Sequence, residues 1–153
     1  MKPAAMAKAV VVHDLDQAAM ALAVAASLKK PIAIWSAPRA ALELGVGWFA
    51  GLVRRAREAE PRARAVIVLD CGDRADLVQD AFREGLGDAC FTGRAAVAAR
   101  LAVIARISRA RLHRKRPRAL TSAADVLRSR CRRSTASRPP SAPAAGAAPT
   151  RAS

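Results

Sequence analysis

A chain of 153 residues suits one domain of ordinary size, and 52% hydrophobic residues are enough for a packed core. Aromatics make up only 3% and Tyr is absent, which excludes an aromatic core and leaves Ala, Val, Leu and Ile to build it. The net charge of +15 is uneven: residues 1–105 carry +3 (14 basic, 11 acidic) and residues 106–153 carry +12 (13 basic, with Asp125 the one acid), so the basicity is no property of the domain as a whole.

The elements follow in order. Ala9-Val10-Val11-Val12 is a β-branched run and predicts a strand. Asp14 or Asp16 can cap the helix expected over Gln17 to Leu28, which Pro31 stops. Ile32-Ala33-Ile34-Trp35 predicts a second strand, ending at Ser36-Ala37-Pro38. A helix is expected from about Gly47 to Ala59, before Pro61. Ala65 to Leu69 is the third strand, and Arg74 to Glu84 the third helix, halted by Gly85 and Gly87. Ala89-Cys90-Phe91 is a short fourth strand, and a fourth helix is expected over Ala95 to Ile107. The strands are near-continuous apolar runs, which predicts a parallel sheet covered on both faces. Four parallel βα units therefore form an α/β fold, either half of a (β/α)8 barrel or a small open parallel sheet.

Residues 1–107 make up this α/β domain. Residues 108–133 are a basic segment, partly helical over Thr121 to Arg133, and 134–153 are an Ala/Pro/Ser/Arg-rich tail expected to be disordered. Cys71, Cys90 and Cys131 are odd in number and unpaired in spacing, which excludes a disulfide framework. The first apolar run is broken by His13, Asp14 and Asp16, too early for a leader or a membrane span. A soluble cytoplasmic protein without membrane contact is expected.

Chemistry in parallel α/β folds gathers at the C-terminal strand ends. Here those ends offer His13 and Asp14, Ser36, and Asp70-Cys71-Gly72. Asp70 and Cys71 face opposite sides of an extended strand. One reading is a metal or proton-transfer site, with Cys71 and His13 as ligands beside a carboxylate. The other is a capping Asp beside a small core Cys. A helix starting after Cys71 would also lower a thiol pKa. Ser36 either contacts an anion or shapes the turn before Pro38. No Gly-x-Gly-x-x-Gly, P-loop or Gly-x-Ser-x-Gly pattern is present.

Residues 9–94 resemble the N-terminal half of class II fructose-bisphosphate aldolases, which are zinc-dependent (β/α)8 barrels. The likeness is carried by Val12-His13-Asp14-Leu15-Asp16-Gln17, Pro31 to Ser36, Leu44-Gly45-Val46-Gly47-Trp48-Phe49, Leu69-Asp70-Cys71-Gly72, and Ala81 to Gly93. The resemblance implies that Asp70 shuttles a proton, that Ser36 contacts substrate, and that zinc is the cofactor. Cys71 stands where the family has a zinc-binding histidine, Thr92 and Arg94 replace its Asp and Ser, and its later ligands have no counterpart. The expectation is an aldolase-like domain without aldolase activity that keeps weak ligand or metal binding near His13, Ser36 and Asp70.

Two alternatives stand beside it. One is a truncated or frameshifted fragment of a longer aldolase-like enzyme, since Ala, Arg, Pro and Gly dominate a shifted reading of GC-rich DNA. The other is a small binding protein whose basic run, Arg106 to Arg118, contacts nucleic acid, although it lacks interleaved aromatics. An open half-barrel also leaves two strand edges, which a homodimer would cover.

Overall fold

The computed structural model describes residues 9–118, 121–126 and 128. Its elements alternate as the apolar runs dictate. They are β1 (Ala9–Val12), α1 (Leu15–Leu28), β2 (Ile32–Ser36), α2 (Ala40–Leu44), α3 (Val46–Ala59), β3 (Ala65–Asp70), α4 (Ala75–Arg83), β4 (Asp88–Cys90), α5 (Ala95–Ile107), β5 (Arg111–His113) and β6 (Thr121–Ser122). The six strands form one open, all-parallel sheet in the order β5-β4-β3-β2-β1-β6. Residues 123–126 are helical, within the span where the sequence predicts a helix. The predicted disordered tail, residues 134–153, lies outside the described residues. Among the described residues no helix is long and apolar enough to cross a membrane.

The strand pleat divides the core in two. Val10, Val12, Ile34, Ile67, Leu69 and Phe91 face the helices and join Leu22, Phe49, Val78 and Leu101 in the main core. Ala9, Ala33, Trp35, Val68 and Cys90 form a smaller cluster of strand residues on the other face. All the helices among the described residues thus lie on one side, as follows when β1 to β5 are laid down in one direction with crossovers of one hand, so the expected cover on the second face comes from the chain after β5 and not from a helix layer. Trp35 on β2 and His113 on β5 are three strands apart, about 14 Å on a flat sheet. Their ring centroids are nevertheless 5.5 Å apart, so the sheet curls over this concave face and the two side chains meet across it.

Three features go beyond the sequence reading. The stretch before Gly47 holds the separate helix α2, divided from α3 by Gly45 at φ 86°, a left-handed conformation that glycine adopts readily. The basic segment contributes β5 and β6, one on each edge of the sheet. From β5 the chain returns over the concave face: Arg114 donates to the Phe91 and Gly93 carbonyls, and Arg116 reaches β3 and β2. Travelling backwards across the opposite face preserves the crossover hand.

Tight packing at the end of β4 gives a test. A Cβ on Gly93 would lie 2.4 Å from the buried Phe91 ring. Gly93→Ala is expected to cost about 1–3 kcal/mol in urea unfolding, with part recovered by adding Phe91→Leu. Wild-type stability in the single variant would contradict this packing.

Candidate functional site

Asp70 ends β3 on the concave face, and its side chain is 3% exposed. A buried carboxylate needs donors, and it has them. Oδ1 accepts the Gly72 N–H at 2.9 Å, and Oδ2 accepts Arg116 Nη1 at 2.6 Å. Gly72 sits at φ 58°, which closes the turn that aims its N–H back at the carboxylate. Arg116 also donates through Nη2 to the Ser36 carbonyl at 2.9 Å, and its guanidinium carbon lies 5.5 Å from the Trp35 ring centroid. The Ser36 hydroxyl accepts the Asp70 N–H at 2.9 Å and donates to the Ala37 carbonyl at 3.0 Å. Ser36 and Asp70 are therefore brought together, with their polar groups tied to each other and to Arg116.

A second carboxylate lies lower on the same face. Asp88 on β4 is level with Val68, two residues below Asp70 on β3. Its Oδ1 meets His113 Nε2 at 2.7 Å and Arg111 Nε at 3.1 Å. His113 is edge-on to Trp35. The Trp35 Nε1–H is buried and has no acceptor among the described residues. Three members of the basic run, Arg111, Arg114 and Arg116, thus serve the fold itself.

Cys71 turns away from Asp70, as strand alternation requires. It lies in the helix-side core with its thiol toward the Leu69 carbonyl at 3.9 Å. Burial, then the neighbouring Asp70 charge, pushes the thiol up to about 12. Cys90, on the concave side, is pushed up to about 11, again mainly by burial. A thiol next to a helix start is thus no activated nucleophile here, because desolvation prevails. His13 stands exposed beyond β1. Its backbone N–H donates to Gln17 Oε1 at 3.0 Å while Asp14 accepts the Gln17 N–H at 2.8 Å, a reciprocal cap on α1. Among the described residues no three of His, Cys, Asp and Glu converge to hold a metal ion.

His13 and Ser36 do meet at a cleft. It has a volume of about 230 Å³ and opens between the ends of β1 and β2 and helices α2 and α3. Its walls are mainly apolar, with Trp48 and Leu44 prominent, and Glu43 adds a carboxylate. A groove of about 310 Å³ between α3 and α4 is walled by Val46, Gly47, Leu77, Asp80, Arg83 and Glu84. Sequence reasoning missed Arg116. Its only signal was indirect: the strand-end Asp70, which burial would oblige to find a cation.

The chain matches no protein-family model, and no curated protein is similar to it.

The raised thiols make a checkable pH dependence. The unfolded chain releases the Cys71 proton above about pH 9, whereas the folded chain holds it to about pH 12. Stability therefore falls as pH rises through that window, by about 1.4 kcal/mol per pH unit for one thiol. Cys71→Ala is expected to show a shallower decline in urea midpoints between pH 8.5 and 10.5. An identical slope would contradict the burial of this thiol. In Cys131→Ser, no thiol is expected to react with Ellman's reagent at pH 8 until urea exposes two.

Proposed function

We propose that this chain is a non-catalytic, aldolase-like α/β domain that binds a small ligand at its C-terminal rim. The cleft between the ends of β1 and β2 carries this reading, because it places His13 and Ser36 where parallel α/β folds take their ligands. At about 230 Å³ it falls below the usual range for drug-sized molecules and suits a fragment-sized one. Apolar walls with an imidazole and a carboxylate favour a neutral or amine-bearing aromatic compound over a sugar bisphosphate.

The lack of aldolase chemistry is supported by the engagement of Asp70. A proton-shuttling carboxylate must reach substrate, and here Arg116 covers it. The thiol at the family's histidine position is protonated and lies in the other core layer. The edge strands bear on the fragment alternative: β5 and β6 both follow the change of composition, yet both join the sheet in register. The nucleic-acid alternative loses three of its arginines to internal partners.

Two measurements test the proposal. With fructose 1,6-bisphosphate and added zinc, no cleavage above background is expected; zinc-dependent turnover would overturn the non-catalytic reading. Saturation-transfer NMR with a panel of aromatic fragments should find binders that Trp48→Ala weakens about tenfold or more. Trp48 is 48% exposed, so its loss should leave folding intact. Binding that is indifferent to Trp48 would place the ligand elsewhere.

A further inference from the structure

The concave face holds a second site, which shares Ser36 with the cleft but takes its charge from Asp70. Three different groups converge on the Arg116 guanidinium. They are the Asp70 carboxylate at 2.6 Å, the Ser36 carbonyl at 2.9 Å and the Trp35 ring at 5.5 Å. The carboxylate supplies charge, the carbonyl accepts a second N–H of the same fork, and the ring faces the cation. Together they meet both terminal nitrogens and one face of the guanidinium group.

These three groups belong to the sheet and the occupant does not. Trp35 and Ser36 lie on β2 and Asp70 on β3, adjacent strands in fixed register. Ser36 Oγ, bonded to the Asp70 N–H, locks the two strand ends together whether or not Arg116 is present. Gly72 likewise holds the carboxylate from its own turn. Arg116 arrives from the crossing segment between β5 and β6, 46 residues from Asp70 and 80 from Ser36 in sequence. Its side chain remains 19% exposed while Asp70 behind it is 3% exposed, so the arginine, and not the carboxylate, is the member of the pair that meets solvent.

We propose that the ends of β2 and β3 form a guanidinium-binding site that Arg116 fills as an intramolecular ligand. A small external guanidinium compound occupies it when the arginine is withdrawn. The chemistry is reversible binding alone: no bond is made or broken, and the planar fork distinguishes the ligand from an ammonium or sodium ion.

The experiment uses the full chain with Arg116→Ala and methylguanidinium chloride as the probe, against sodium chloride at equal ionic strength. Half-saturation is expected in the range of about 1–10 mM for so small a cation. At tenfold that concentration the melting temperature of R116A should rise by about 3–6 °C. Wild type, with its site filled, and the double variant D70N/R116A, with its carboxylate removed, should show no saturable rise. Sucrose in all samples keeps a weakened variant folded. Arg116→Lys is the second variant: it fills the site with a charge but lacks the fork, so it should melt below wild type and gain less from the probe than R116A. An R116A protein that gains no saturable stabilisation would overturn the proposal. So would an equal gain in D70N/R116A, or an R116K that melts with wild type.

Discussion

The buried carboxylate of Asp70 sets the terms for the upper half of this molecule. It sits at the end of a central strand, 3% exposed, where an unpaired charge would be prohibitive. The structure answers with Gly72 from its own turn and Arg116 from far along the chain. Supplying that arginine requires residues after β5 to cross the concave face, and crossing that face delivers the chain to the far edge beside β1, where β6 pairs. The sheet's last strand, the filling of its concave side and the neutralisation of its one strand-end acid on β3 are thus linked. Removing one partner from a buried pair costs about 3–5 kcal/mol, a large share of what a domain of this size has in reserve.

Much of the fold could be read from the chain because its driving force is local and repetitive. β1, β2 and β3 are apolar runs buried largely on both faces, and α1 and α5 are Ala-rich stretches with aliphatic residues between. β5 escaped notice for a physical reason. Only Leu112 of Arg111-Leu112-His113 joins the helix-side core, and the flanking residues point to Asp88, which satisfies them. A strand whose second face is held by charges lacks an apolar signature. β6, with two polar residues, carries even less.

The site was legible only in part. Strand-end position picked out Ser36, Asp70 and His13, and alternation separated Asp70 from Cys71. Arg116 was hidden in a run of cations that has the composition of a solvated tail, and its partner lies 46 residues away. The consequence for function is direct. A carboxylate that would be free for proton transfer in an open barrel is here bonded to Gly72 and Arg116, and the cleft lined by His13 and Ser36 lies beside it at the ends of β1 and β2.

The central claim is that Asp70 and Arg116 act as one unit across the concave face. A double-mutant cycle on urea stability with Asp70→Asn, Arg116→Met and the pair tests it most directly. The account predicts a coupling of about 1–3 kcal/mol, with the double variant more stable than the sum of the single losses implies. Losses that add within about 0.5 kcal/mol would mean the two residues are independent, and the account of the crossing segment would fall with them.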